Sequence, residues 1–216
     1  MSAMSAMSAS APPRAKIPKL AELELVLVTA RLRLRPFTES DVDDLWPYVS
    51  DPELPRMMSW AAHTDPGQTL EFIRRVNEGL ANNAGVAWAI ELGGSVVGCI
   101  GLEAMQFAMR EWRVDRAELG YWIAPPLWGR GLMTEAAHAV VRAGFELIGL
   151  HKITVGCFAE NAGSRRVIEK LGFRAVGRLE DDVWRDGRWW SMLRYELTAS
   201  EWNDVSTTIR VTRPQR

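Results

Sequence analysis

Between Tyr121 and Ala136 the chain reads Tyr-Trp-Ile-Ala-Pro-Pro-Leu-Trp-Gly-Arg-Gly-Leu-Met-Thr-Glu-Ala. An apolar strand pattern stops at Pro125-Pro126, two glycines follow at 129 and 131, and a helical pattern begins. The first-turn N–H groups of a helix lack internal partners and lie at the positive end of its dipole, which makes them an anion site. Gly129 and Gly131 let the backbone curl around a phosphate without a Cβ in the way, and Arg130 adds a charge-assisted contact. The spacing is not the dinucleotide fingerprint, which needs a third glycine, nor a Walker A loop, which needs Gly-Lys-Ser/Thr. By spacing alone this is an anion-binding helix start, and a glycine-containing helix entry without a ligand would read the same way.

Other reactive side chains are sparse. Cys99 and Cys157 lie far apart in apolar surroundings and read as small core residues. Three scattered histidines and no Cys-x-x-Cys pair make no metal-ligand spacing, so no metal is expected. Reduced cysteines fit a cytoplasmic protein. A net charge of −1 argues against a general nucleic-acid binder, which needs a basic face.

The elements that must position these residues follow from periodicity. Leu25 to Phe37 contains Arg31-Leu32-Arg33-Leu34-Arg35, an alternation that suits one half-buried strand ended by Pro36. Thr38 with Asp41 resembles a helix cap, and Val42, Leu45, Trp46 and Val49 form one helical face that Pro47 should bend or shorten. Asp65-Pro66-Gly67-Gln68 is a capping box with proline at the first helical position, followed by the buried face Phe72, Ile73, Val76 and Leu80. Val86–Leu92 and Val96–Leu102 read as a hairpin around Gly93-Gly94. Glu111 to Arg116 reads as a loop or strand edge, and Ala117–Ile123 as a strand. A helix is expected over Gly131–Ile148, a strand over Lys152–Phe158, a helix over Asn161–Leu171, and a hairpin of Phe173–Trp184 and Trp189–Leu197 around Asp186-Gly187. The order β-α-α-β-β-β-α-β-α-β-β implies an α/β or α+β fold, a mixed sheet with helices on its faces.

Residues 1–22 begin with a Met-Ser-Ala repeat of little hydrophobic mass and read as a disordered arm without a signal-peptide pattern. Residues 23–205 read as one domain and 206–216 as a polar tail. No apolar run approaches the roughly 18 residues of a membrane span.

The Trp-Gly-Arg-Gly-Leu-Met-Thr-Glu-Ala run resembles the acetyl-CoA loop of the GNAT superfamily of N-acetyltransferases, in particular the branch of the ribosomal-protein enzymes RimJ and RimL. Thr29-Ala30-Arg31-Leu32-Arg33-Leu34-Arg35-Pro36 resembles that branch's opening strand. Asn161-Ala162-Gly163-Ser164-Arg165-Arg166-Val167-Ile168-Glu169-Lys170-Leu171-Gly172-Phe173 resembles its Asn-x-x-Ser helix, and Arg185-Asp186-Gly187-Arg188 its C-terminal hairpin. The likeness spans roughly residues 26–200 in the family's order. Two departures stand out: Pro126 occupies the first position of the Gln/Arg-x-x-Gly-x-Gly/Ala pattern, and Trp190-Ser191 stand where relatives often carry an acid. Proline has no N–H, so the pyrophosphate donors are expected from Trp128 through Leu132.

The resemblance implies a GNAT fold and direct acetyl transfer from acetyl-CoA to a primary amine in a ternary complex, with no acyl-enzyme. It implies coenzyme contacts at Tyr121, Trp122, Ile123, Trp128, Gly129, Arg130, Gly131, Leu132, Met133, Thr134, Asn161, Ser164 and Arg166. Glu118 is the candidate base, with Glu103 and Asp182 behind it. Ser164 is the candidate acid for the leaving thiolate, sharing a helix face with Asn161, Ile168 and Leu171. The N–H of Ile123 or Tyr121 would hold the carbonyl oxygen if the strand splays there. Asn161 also reads as a plain helix cap and Arg166 as a solvated charge. Of ten tryptophans, Trp46, Trp88 and Trp122 fit core faces. Trp60, Trp112, Trp184, Trp189 and Trp190 fall where the family has its acceptor cleft, though cross-strand pairing explains the hairpin residues equally. The acceptor is expected to be a protein N-terminal α-amine. A small amine, or a domain that binds acyl-CoA without catalysis, are the alternatives. A homodimer is an expectation carried by the family alone.

Overall fold

The computed structural model describes residues 16–206. Eight strands form one sheet in the order β1-β2-β3-β4-β5-β6-β8-β7. They are β1 (Leu27–Val28), β2 (Arg33–Pro36), β3 (Val86–Leu92), β4 (Ser95–Met109), β5 (Trp112–Ile123), β6 (Lys152–Phe158), β7 (Arg174–Arg185) and β8 (Arg188–Thr198). Every pairing is antiparallel except β5 with β6. That parallel pair needs a crossover, and helix α3 (Leu132–Arg142) with its π-helical continuation Ala143–Ile148 supplies it. The mixed α/β sheet expected from the sequence is present, flanked by helices.

One face of the sheet packs against α1 (Asp41–Val49) and α2 (Pro66–Ala81) through Phe37, Leu45, Val49, Ile73, Ala89 and Trp122. The other packs against α3, α4 (Ala162–Lys170) and α5 (Ala199–Ser206) through residues such as Leu34, Ile100, Leu119, Val140, Ile153, Ile168 and Trp202. Trp88 is fully buried and donates its indole N–H to Leu25 O at 2.7 Å, so its polar atom is satisfied inside the core.

Several local expectations need correcting. The single strand over Leu25–Phe37 is two strands, with Leu27 paired to Leu34 and Val28 to Arg33. The Thr29 hydroxyl causes the fold-back by accepting from Leu32 N–H at 3.0 Å. Thr38 does not cap α1; the helix is preceded by Ser40, and Asp41 instead accepts from Thr38 N–H at 2.8 Å. Pro47 lies inside α1, which ends two residues later. Asp65 caps α2 as expected, but Gln68 reaches Thr64 N–H, one residue earlier than a capping box requires. Glu111 to Arg116 belongs largely to β5, which extends a long hairpin with β4 outward past the core, where apolar alternation is not demanded. Helix α5 was not legible: among its described side chains Trp202 is the one large core residue. The arm ends earlier than residue 22: Leu20 is buried, its N–H donates to Asn83 Oδ1 at 2.8 Å, and Asn83 Nδ2 donates to Pro18 O. The rest of the arm and residues 207–216 lie outside the described residues. Among the described residues no helix is long and apolar enough to cross a membrane.

Arg35 and Asp41 bind α1 to the sheet edge. The two guanidinium nitrogens donate to the two carboxylate oxygens at 2.8 Å each, and Asp41 is almost wholly buried. Burial pushes the Asp41 pKa up, but Arg35 and the Thr38 N–H outweigh it and hold the carboxyl below its usual value. Asp41→Asn leaves the partly buried Arg35 guanidinium with Glu91, 3.1 Å from its Nε, as its remaining carboxylate, and should cost about 2 kcal/mol in urea unfolding. With the folded pKa below the unfolded one, this contribution is complete above the unfolded value. It is lost as pH falls through that value toward the lowered one, so the wild-type advantage over Asp41→Asn should shrink on acidification.

Candidate functional site

The parallel ladder between β5 and β6 is short. It pairs Arg116 with Lys152, Ala117 with Ile153 and Glu118 with Thr154, and then stops. Past that point β5 stays with β4 as far as Ile123, while β6 follows β8 as far as Phe158. The strands diverge and open a cleft of about 1090 Å³ between them. Helices α3 and α4 both begin at this cleft. Leu119–Ile123 therefore has no ladder partner on its β6 side, which is the splay that sequence could not establish.

At one end is the glycine loop. Gly129 and Gly131 both have left-handed backbone, with φ of 74° and 76°, which a Cβ would strain. Gly131 precedes α3 with no side-chain cap, and Glu135 N–H to Gly131 O is the first bond of the helical ladder. The N–H groups of Leu132, Met133 and Thr134 thus come before that ladder, and all three residues line the cleft. Trp128 N–H, by contrast, is already bonded to Pro125 O at 3.0 Å. Of the expected donors Trp128 through Leu132, Trp128 is thus engaged by the turn at Pro125–Leu127, whereas the N–H groups of Gly129 through Thr134 have no backbone partner among the described residues. The Trp128 side chain lines the cleft with its indole N–H on Ile123 O at 2.7 Å. Arg130 is exposed and does not line the cleft; its carbonyl accepts from Arg31.

The loop is clamped from β1–β2. Glu135 accepts from Thr29 Oγ1 at 2.6 Å, Arg31 N–H at 2.9 Å and Arg31 Nε at 2.7 Å, while Arg31 Nη1 donates to Arg130 O at 3.1 Å. Burial alone would push Glu135 up, but these donors hold its carboxyl below the usual range. Neither Glu135 nor Arg31 was singled out from sequence, although both stand inside the quoted motifs. An acid in the first turn of a helix that follows a phosphate-type loop was the available signal.

At the fork, Tyr121 and Ser164 meet. The phenol and the Ser164 Oγ are 2.9 Å apart, and both residues line the cleft. Burial raises the Tyr121 pKa well above its ordinary value, against the hydrogen bond to Ser164, so the phenol stays protonated. Asn161 caps α4, accepting from Ser164 N–H at 2.9 Å, and its amide reaches Met57 O at 3.5 Å. Cap and cleft wall are therefore one side chain. Arg166 and Lys170 line the cleft from the same helix.

Glu118 sits at the last paired position of β5, opposite Glu103 on β4, and both line the cleft. Its carboxylate accepts from Arg194 Nη1 at 2.9 Å. Arg194 belongs to β8 and reaches across β6 where Gly156 has no side chain; a Cβ there would come within 2.8 Å of the guanidinium. Glu103 makes no ion pair or hydrogen bond among the described residues. Water reaches it from the cleft, yet the walls enclose it enough that lost solvation, reinforced by Glu118 and opposed by Arg75, raises its pKa. Asp182 also lines the cleft, from the β7–β8 hairpin.

The far end is built by Val49, Leu54, Met57, Met58, Trp60, His63, Phe72 and Arg75. Trp60 packs 6.2 Å from Trp122 and 5.6 Å from His63. Of the five tryptophans set near an acceptor, Trp60 alone lines the cleft. Trp112, Trp184 and Trp189 are exposed, Trp184 and Trp189 forming a cross-strand pair at 5.4 Å, and Trp190 is buried against Phe158. Trp122 is core and cleft at once, Trp88 is core, and Trp46 packs against the α1–α2 core from its edge. Cys99 and Cys157 are buried and free. Among the described residues no cluster could hold a metal ion.

A splayed parallel pair, a glycine loop opening onto an uncapped helix and a capped Asn-x-x-Ser helix thus meet at one cleft. Residues 31–174 match the model of the acetyltransferase (GNAT) domain. The chain is 31% identical over 180 residues to the uncharacterized N-acetyltransferase p20 of Bacillus licheniformis, covering 82% of this chain and 97% of that one. The protein belongs to the GNAT family of N-acetyltransferases. Its fold also matches the RimL ribosomal L7/L12 α-N-protein acetyltransferase in complex with coenzyme A (TM-score 0.73, 18% identity, 81% of this chain and 98% of that one). It likewise matches the microcin C7 self-immunity acetyltransferase MccE in complex with acetyl-CoA and AMP (TM-score 0.71, 17% identity, 79% and 93%).

Glu135→Ala removes the three donors' common acceptor and frees the loop. Coenzyme A binding measured by calorimetry should weaken about tenfold, corresponding to roughly 1.4 kcal/mol of lost positioning.

Proposed function

We propose that the protein transfers the acetyl group of acetyl-CoA directly to a primary amine, and that this amine is a protein N-terminal α-amine. The observation that carries the reading is the single cleft that joins an uncapped helix start to a pair of carboxylates, with a protonated phenol between them. Gly129 to Thr134 would hold the pyrophosphate through backbone N–H groups, supported by Arg166. Asn161 and Ser164 would lie along the pantetheine arm. A peptide N–H of the unpaired β5 edge, at Tyr121 or Ile123, would receive the carbonyl oxygen as it becomes anionic.

Glu103 is the better base of the two acids. Glu118 is already committed to Arg194, whereas Glu103 is unpartnered and its raised pKa brings it nearer to that of an α-amine, about 8. Glu118 then serves as the fixed negative charge beside it. The amine nitrogen attacks the thioester carbon and its proton goes to Glu103. The C–S bond breaks, and the departing thiolate takes a proton from the Tyr121–Ser164 pair. The two hydroxyls are 2.9 Å apart, so either can supply that proton while the other holds it in place.

The RimL likeness supports a protein N-terminus as acceptor, and the MccE likeness supports a small molecule as the second reading. Thiol release from acetyl-CoA separates them. Peptides with a free α-amine should be turned over, while the same peptides with a blocked N-terminus and an internal lysine should not. Turnover of small amines with no turnover of peptides would exchange the two readings.

Glu103→Gln should lower kcat by about 10²-fold or more. The wild-type rate should rise with pH through a value above the ordinary carboxylate range, because the base works only when deprotonated, and this acid limb should vanish in Glu103→Gln. If Glu118→Gln instead removes the limb and Glu103→Gln keeps it, the base is Glu118.

A further inference from the structure

At its acceptor end the cleft continues. Phe72, Arg75 and Glu103 also border an adjoining pocket of about 240 Å³, lined otherwise by small or aliphatic residues such as Ala84, Gly85 and Ala87. Arg75 and Glu103 thus stand where the two spaces meet. Among the described residues no ion pair or hydrogen bond joins them, and neither has another such partner.

The other cations toward this end are already matched. Arg194 holds Glu118, and Arg56 lies 3.7 Å from Glu53. His63 is kept neutral, since burial and then the positive charge of Arg75 lower its pKa. Arg75 is also aimed, its guanidinium carbon 5.8 Å from the centre of the Phe72 ring on the shared rim. A planar guanidinium without a counter-ion, beside aromatic and aliphatic walls, is the arrangement that recognises a carboxylate.

A carboxylate and an exposed guanidinium that line the same cleft, near enough for Arg75 to oppose the pKa rise of Glu103 yet not joined in an ion pair, complement a molecule with its own charges in reverse order. We propose that the acceptor carries an anionic group close to its reacting amine, and that Arg75 is the residue that selects it, with the amine directed to Glu103. The anion has two sources of the same chemistry: the side chain of an acidic residue at a peptide N-terminus, or the α-carboxylate of a free amino acid. This inference rests on the transferase reading above.

Two isosteric acceptor pairs test it by thiol release: an Asp-initiated against an Asn-initiated peptide, and phenylalanine against phenylalaninamide. The wild type should favour the charged member of at least one pair by roughly tenfold or more in kcat/KM; the pair that shows the preference names the source. Arg75→Gln should bring that ratio close to one, Arg75→Lys should keep part of it, and Arg75→Glu should invert it. Calorimetric binding of coenzyme A establishes that each variant is folded. Equal use of charged and neutral acceptors by the wild type, or a ratio that Arg75→Gln leaves in place, overturns the inference while the transferase reading stands. No thiol release with any amine overturns that reading and this inference with it.

Discussion

Two neighbouring strands that pair for three residues and then part decide most of what this molecule can do. β5 is bound to β4 from Trp112 to Ile123, and β6 is bound to β8 from Lys152 to Phe158, so neither can bend to follow the other. The gap between them exposes peptide groups that a continuous sheet would satisfy, and such groups need a ligand or water. Because the crossover through α3 leaves from the end of β5, and α4 leaves from the end of β6, both helices start at the gap. The free N-terminal donors of α3, the unpaired strand edge and the side chains of Tyr121, Ser164, Glu118 and Glu103 all face one space for that reason.

The fork also explains how charge is distributed there. Glu118 occupies the last paired position and is held by Arg194, which spans β6 over Gly156. That ion pair is about half exposed and contributes little to stability. What it does is place a fixed negative charge against Glu103, one strand over. Glu103 lies beside an irregularity of the β4–β5 ladder, next to Ala104 with φ 46°, and is left without a partner. Backbone irregularities beside functional groups are a recurring way of aiming a side chain.

The clamp on the glycine loop is of a different kind. Gly129 and Gly131 are chosen for conformational freedom, and that freedom alone would leave the loop mobile. Glu135 removes the mobility by collecting three donors from the β1–β2 turn, which lies about a hundred residues away in sequence. The opening motif Thr29-Ala30-Arg31 thus belongs to the glycine loop in space, and its Thr29 hydroxyl both shapes its own turn and holds Glu135.

The Gly93-Gly94 and Asp186-Gly187 turns bracketed β3 and the β7–β8 hairpin almost to the residue, and periodic spacing located β6 and the cores of α2 and α4, because each of these signals is local. The glycine loop and the Asn161 cap were legible for the same reason: each depends on residues within a few positions of one another. Elements whose polarity does not follow burial escape such patterns, namely the outward β4–β5 extension, the fold-back at Thr29 and helix α5. Sequence alone determined that a glycine loop would open onto a helix start and that a capped Asn-x-x-Ser helix would exist, and which residues would form them. Only the tertiary structure decided that Glu118 is engaged by Arg194 while Glu103 is free, that Trp128 spends its N–H within its own turn, and that Arg75 faces the cleft unpaired. Each of those outcomes is a contact, or a missing contact, between strands and helices distant in the chain, and no local pattern carries that information.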